Sequence, residues 1–319
     1  MFKFKNIILL ISLVTSIFAS NIIEPNRNFQ ADGAVIDIVY NDNKLYVSTD
    51  VSAINIFSLN SYKKIETITI PKIKDFMGDI IDSKIYSIDI INNNILILSE
   101  GEHGFRKLDI YKNGKLIHIF GIKDKLYIAK AKFLDNKTVV LGLLSNDIIS
   151  YNIETKTQNW TVQASGSKFS NFALSEDKTE VVICDESGDT KIINTLNGKI
   201  KKNLTGQNLD NVFQVDYKNG IIITAGQDRR AVVYNLKHNS SYYKTTKFLI
   251  YSAGLSPSGK IAGYASDENN NVTLFKTDTK SNIGIFGGNK MTINNILFLN
   301  EKEFIISTDD KVINYYKLK

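Results

Sequence analysis

One short pattern recurs along this chain at near-constant intervals, and that recurrence restricts its possible folds more than any other feature. The clearest copy is Thr224-Ala225-Gly226-Gln227-Asp228-Arg229-Arg230-Ala231-Val232-Val233-Tyr234-Asn235-Leu236. A strand of small residues ends in an Asp-led turn, and an apolar strand follows that closes on an aromatic residue and Asn. Equivalent strand ends fall at Phe57-Ser58, Leu108-Asp109, Tyr151-Asn152, Ile193-Asn194, Tyr234-Asn235, Phe275-Lys276 and Tyr315-Tyr316, so that successive positions differ by 51, 43, 42, 41, 41 and 40. A second marker repeats independently. Turn clusters stand at Asn41-Asp42-Asn43-Lys44, Asn92-Asn93-Asn94, Asp135-Asn136-Lys137, Glu176-Asp177-Lys178, Lys218-Asn219-Gly220, Pro257-Ser258-Gly259-Lys260 and Asn300-Glu301-Lys302. Asn, Asp and Gly suit such turns because a tight hairpin needs residues that tolerate positive φ.

Between these markers lie short runs rich in Ile, Val, Tyr and Phe, which favour a pleated, half-buried surface. Four such strands per unit at a period of ~40–45 residues are the mark of a propeller blade. The expectation is therefore an all-β, seven-bladed β-propeller with four-stranded antiparallel blades. Its innermost strands are expected near 35–40, 85–91, 128–134, 169–174, 212–217, 249–255 and 292–299. The seventh unit reaches Lys319 with only three strands. Residues near Asn28-Phe29-Gln30 are expected to supply the fourth, so that the N-terminal strand joins the last blade and seals the ring. The first spacing is about ten residues too long. The excess lies in Pro71 to Ser83, an enlarged connection in which Phe76, Met77 and Ile80 are candidate partner contacts; the alternative is that it folds back and buries them.

Residues 1–20 have another character. Lys3 and Lys5 precede an apolar run from Ile7 to Ala19, and Ala19-Ser20 supplies small residues. A charged start, a short apolar core and a small-residue exit make a secretory signal, and the run is shorter than the ~20 apolar residues a spanning helix wants. Cleavage near residue 20, periplasmic location by the general secretory route and a single domain over 21–319 are the expectations, with no membrane span after cleavage. Removal of Lys3 and Lys5 would lower the net charge of +6 by two. Basic residues are interspersed with carboxylates instead of gathered in a stripe, so no nucleic-acid partner is expected. A single cysteine, Cys184, precludes an internal disulfide, and its setting in Val181-Val182-Ile183-Cys184-Asp185 is that of a buried strand.

The Asp228 to Tyr234-Asn235 pattern, repeated at this period, resembles the WD40-type propeller over essentially the whole chain after residue 20. The aromatic-Asp ending of that family survives in part, as Tyr151-Asn152, Tyr234-Asn235 and Leu108-Asp109, and its Gly-His dipeptide is absent. The unit from Tyr151 to Trp160 also looks like the repeat of quinoprotein-like propellers, but occurs once. A single-ring, exported chain of this kind is similar to the small propeller accessory protein of periplasmic nitrate reductase systems. That resemblance implies a role in maturing or supplying a respiratory enzyme through protein contact.

A search for chemistry leaves few candidates. A haem attachment motif needs two cysteines, and the nucleophile-elbow and phosphate-loop patterns are missing. His103 and His118 fall in one unit, too few for a zinc site. Asp267-Glu268-Asn269-Asn270-Asn271 has alternating oxygens but Val272 where a calcium loop needs Gly, so it reads as a polar turn. Asp50, Asp185, Asp228, Asp267 and Asp309 recur near the second turn of the blades. Repetition in blade after blade suits acids that accept backbone N–H bonds in their own turns. Arg229 and Arg230 form the one Arg pair at that position and are candidate contacts for a carboxylate or other anion. No catalytic residue, metal or cofactor is expected. The expected role is a monomeric, non-enzymatic scaffold for protein partners, an accessory factor of a periplasmic reductase. The alternatives are a lactonase-like, metal-dependent hydrolase and an outer-membrane assembly propeller.

Overall fold

The computed structural model describes residues 22–319; the segment read as a signal lies outside the described residues. Seven four-stranded blades account for nearly all of it. Blade 1 comprises Val35–Asn41, Lys44–Thr49, Ala53–Ser58 and Lys63–Thr69, and blade 2 Ile85–Ile91, Asn94–Glu100, Arg106–Lys112 and Lys115–Phe120. Blade 3 comprises Ile128–Phe133, Thr138–Leu143, Asp147–Asn152 and Thr157–Gln163, and blade 4 Phe169–Leu174, Glu180–Asp185, Thr190–Asn194 and Ile200–Leu204. Blade 5 comprises Val212–Lys218, Ile221–Gly226, Arg230–Asn235 and Ser240–Thr245, and blade 6 Ala253–Leu255, Ile261–Ala265, Val272–Lys276 and Asn282–Phe286. Blade 7 takes Ile293–Phe298, Glu303–Thr308 and Val312–Lys317 from the end of the chain and Arg27–Gln30 from its beginning. The protein is a seven-bladed β-propeller.

The tight inner turns form as the sequence suggests. Asp42 and Asn43 (φ 49° and 55°), Asn92 and Asn93 (48° and 63°) and Asn219 and Gly220 (50° and 77°) occupy the left-handed region that a two-residue hairpin requires. Within each blade the burial alternates between the two faces of the sheet. Ile95 and Ile97 of blade 2 join one apolar cluster, and Leu96 and Leu98 join the next. The result is seven buried clusters, each built from two adjacent blades: 1–2, 2–3, 3–4, 4–5, 5–6, 6–7 and 7–1. No blade buries both of its faces alone, which makes the ring cooperative.

The 7–1 cluster explains the seal. Phe29 is 3% exposed and packs with Val35, Leu45 and Phe57 of blade 1 and with Ile313 and Tyr315 of blade 7. Its strand pairs antiparallel with the last strand, Phe29 opposite Ile313 and Gln30 opposite Val312. A further two-residue strand, Ile22–Ile23, adds in parallel to the outer edge of blade 6, opposite Ile285 and Phe286. The N-terminal stretch thus ties together two blades, one more than the sequence pattern suggests. The inner strand of blade 6 is also shorter than expected, Ala253–Leu255.

Candidate functional site

The strands alternate in direction, so each blade has turns at two ends. First-to-second and third-to-fourth turns lie on one face of the ring. Second-to-third turns lie on the other, together with every blade-to-blade connection, and that other face is here termed the joining face. Two places could carry function: the central channel and the joining face.

The channel is lined by the innermost strands and holds a cavity of about 370 Å³. These strands do not pair with each other, so one edge of each blade leaves backbone groups that need partners. Side chains meet that need across the junctions. Ile88 N–H donates to Asp37 Oδ2 (3.0 Å), Phe133 N–H to Asp89 Oδ2 (2.8 Å), and Leu255 N–H to Asp216 Oδ2 (2.8 Å). Lys130 Nζ donates to Phe172 O (2.8 Å) and Asn171 Oδ1 (2.6 Å), and Lys132 Nζ to Ile88 O (2.6 Å). Ala253 N–H donates to Gln214 Oε1 (3.0 Å), and Asn294 Nδ2 donates to Val35 O (2.6 Å) across the 7–1 junction. Burial, with Lys132 nearby, lowers the Lys130 pKa to about 8, although Asp37 opposes the shift. The polar groups of the channel are committed to joining blades. None of these residues is conspicuous in the sequence, although polar residues at alternate positions of the expected inner strands are the signal that marks them.

On the joining face, the enlarged connection between blades 1 and 2 forms its own small hairpin, Ile73–Lys74 paired with Ile80–Ile81. It does not fold back. Phe76 is 91% exposed, Met77 80% and Ile80 70%. The tip is fixed by Asp75, whose Oδ1 accepts the N–H groups of Met77 (2.9 Å) and Asp79 (2.8 Å), and Gly78 takes φ +90°. The base is tied to the turns of both neighbouring blades. Ser52 Oγ donates to Asp82 Oδ1 (3.0 Å) and accepts Ser83 N–H (2.7 Å), while Ser83 Oγ donates to Glu100 O (2.7 Å). The Ser52 hydrogen bond and the Lys72 ammonium hold the Asp82 carboxyl below its usual range. The apolar tip is therefore presented on a braced support.

The Arg pair divides. Arg229 is exposed on the joining face with φ 63°. Arg230 is turned inward, its guanidinium 4.3 Å above the Tyr243 ring and its Nη1 donating to Gln207 O (2.6 Å). The turn acids also divide. Asp185 accepts from Ser187 N–H (2.9 Å), Asp228 from Arg230 N–H (3.0 Å) and Asp267 from Asn269 N–H (3.0 Å), each within its own turn. Asp50 accepts instead from Ala34 N–H of the preceding connection (2.8 Å), and Asp309 faces Asn294 Nδ2 (3.4 Å). Burial raises the Asp185 pKa, but bonds from Ser165, Ser187 and Asn146 outweigh that and leave it below the usual value.

His118 Nδ1 lies 2.9 Å from Asp109 Oδ1, while His103 occupies a short turn of the same blade. Cys184 is fully buried, and burial pushes its thiol pKa up, so it is a packing residue in the 4–5 cluster. Among the described residues, no three His, Cys, Asp or Glu converge in a metal-binding group, and no helix is long and apolar enough to cross a membrane. Comparison with protein-family models gives no match, and comparison with curated proteins gives none either.

Proposed function

We propose that this propeller is a non-enzymatic protein-interaction scaffold that docks its partner on the joining face, at the hairpin of residues 73–81. The observation that carries the reading is the exposure of Phe76, Met77 and Ile80 on a braced tip. Contiguous exposed apolar side chains mark interaction sites. Full burial by a partner would bring about 1.5–3 kcal/mol for each side chain. The support is held before binding, so little ordering cost is added. Arg229 is exposed on the same face but at blade 5, across the ring from the hairpin, so it is a separate polar position.

The start of the sequence, Met1 to Ser20, supports export to the periplasm. The WD40-like repeat on a single ring supports an accessory or maturation role for a respiratory enzyme such as nitrate reductase. The channel favours this reading over a hydrolase, because Asp37, Asp89 and Asp216 each accept a backbone N–H of the adjacent blade.

The test is affinity capture from a periplasmic extract with the native chain and with a Phe76→Ser/Met77→Ser variant. A partner retained by the native chain and lost by the variant is expected. No reproducible partner, or one captured equally by both, would overturn the reading.

A further inference from the structure

The channel cavity lies away from the hairpin. Its wall includes Tyr40, Leu174, Ser175, Lys178, Lys218 and Phe298, which stand at the ends of inner strands or in the turns that follow them, so it opens on the face opposite the joining face. Its volume of about 370 Å³ falls within the roughly 300–1,000 Å³ of small-molecule sites.

Four acids and four lysines line this cavity, and their hydrogen-bonding capacity is spent unevenly. Asp37 Oδ1 accepts Ile38 N–H (3.0 Å) while its Oδ2 holds Ile88, and Asp216 Oδ1 accepts Tyr217 N–H (2.8 Å) while its Oδ2 holds Leu255. Both oxygens of Glu176 face Asn219 N–H, at 3.0 and 2.9 Å. Of these carboxylates Asp89 alone keeps an oxygen, Oδ1, without a partner among the described residues. The lysines, by contrast, keep donors in reserve, since an ammonium has three N–H groups. Lys130 uses two, on Phe172 O and Asn171 Oδ1, both neutral acceptors, and forms no salt bridge among the described residues. Lys132 uses two, on Ile88 O and Asp37 Oδ2 (3.4 Å), and Lys178 one, on Phe133 O (2.8 Å). Lys218 Nζ comes only within 3.8 Å of Asp216 Oδ1. Buried charges are normally paired, and what this cavity has left over is cationic donors.

Those lysines come from blades 3, 4 and 5, whereas across the channel blades 7 and 1 present the partly exposed Leu297 and Val39. We propose that the channel binds a small organic anion, a carboxylate or phosphate joined to an apolar or aromatic body. The oxyanion accepts the spare N–H groups of the lysines, and the body rests against Val39 and Leu297. The turns round the mouth carry both signs, Asp42, Asp135 and Glu301 against Lys137, Lys260 and Lys302, so the preference arises in the wall and not from a long-range field. This site goes beyond the scaffold reading: it needs no protein partner and lies on the other face, so either can fail without the other.

The test titrates the full chain by calorimetry with four probes built on one ring: benzoate, phenyl phosphate, benzamide and benzylamine. At least one of the two anions should bind about tenfold more tightly than neutral benzamide, because hydrogen bonds to an ionised acceptor are much the stronger. Benzylamine should bind no better than benzamide. The tighter anion decides between carboxylates and phosphates. Lys218→Met should weaken anion binding severalfold and Lys130→Met at least as much, whereas Lys302→Met, on an exposed turn outside the cavity, should leave it unchanged. Lys130→Met also unties blade 3 from blade 4; Lys218 donates to no backbone carbonyl among the described residues, so its variant tests the site without that cost. Anions that bind no better than benzamide, tighter binding of benzylamine, or an anion affinity that Lys218→Met leaves unchanged would overturn the proposal.

Discussion

Replacing Phe29 with Ala tests how far the ring depends on its borrowed strand. The Phe29 ring is buried, 5.2 Å from the Phe57 ring of blade 1, in a cluster that also contains Ile313 and Tyr315 of blade 7. A buried Phe→Ala change costs about 3–5 kcal/mol through lost transfer energy and the cavity left behind. Unfolding entropy near 60 °C is about 2.1 cal/mol/K per residue, or on the order of 0.6 kcal/mol/K for a chain of this size. The expected fall in Tm is therefore roughly 5–8 °C. Arg27, on the same short strand, provides the comparison. It is exposed and its guanidinium lies 4.4 Å above the Tyr62 ring. Losing that contact costs about 0.5–1 kcal/mol, so Arg27→Ala should lower Tm by roughly 1–2 °C. Differential scanning calorimetry separates the two. Equal effects of Phe29→Ala and Arg27→Ala would refute the argument that this strand seals two blades through its inward face.

Four other outcomes follow from the structure. Lys130→Ala leaves Phe172 O and Asn171 Oδ1 without their donor, at a cost of about 1–3 kcal/mol for each group left without a substitute partner, measurable by urea unfolding. The lowered Lys130 pKa, about 8 when folded against an ordinary 10.5, means that the unfolded chain binds more protons between those values. Stability of the native chain relative to a Lys130→Met variant should therefore rise with pH across that window, by at most about 1.4 kcal/mol per unit; a flat or falling difference between about pH 8 and 9.5 would contradict it. Asp185→Ala removes the acceptor of Asn146 Nδ2, Ser165 Oγ and Ser187 Oγ and should lower stability by about 1–3 kcal/mol in the same assay. Phe76→Ser/Met77→Ser should leave the urea midpoint within about 0.5 kcal/mol of native, because neither side chain is packed.

The repeat was readable because its markers are local. The inner turns demand particular residue types: Asp42, Asn43, Asn92, Asn93 and Asn219 all sit at positive φ, and the strands between them alternate with period two. The closure was readable because the seventh unit falls one strand short and Phe29 lies in the stretch left over. What stayed hidden depends on contacts between blades. Nothing in Asp37 or Lys130 taken alone reveals that each satisfies the backbone of the next inner strand. The parallel pairing of Ile22–Ile23 with blade 6 involves two residues, too few to show a pattern. The stacking of Arg230 on Tyr243 joins neighbouring strands and separates it from Arg229, its apparent twin in sequence. The insertion was visible as surplus length, but its fate was decided by Asp75 and Gly78, which turn it into a hairpin and keep Phe76 and Met77 outside.

The most direct test of the closed ring is a covalent one. Gln30 is exposed, lies opposite the partly buried Val312 and belongs to the strand that blade 7 borrows. Cys184 is fully buried and does not compete. A Gln30→Cys/Val312→Cys chain should cross-link under mild oxidation, read by intact mass and mobility on a non-reducing gel, and the product should resist denaturant better than its reduced form. An Arg27→Cys/Val312→Cys chain, out of register, should stay reduced. Cross-linking of the second pair but not the first, or of neither, would contradict a ring locked by residues 27–30.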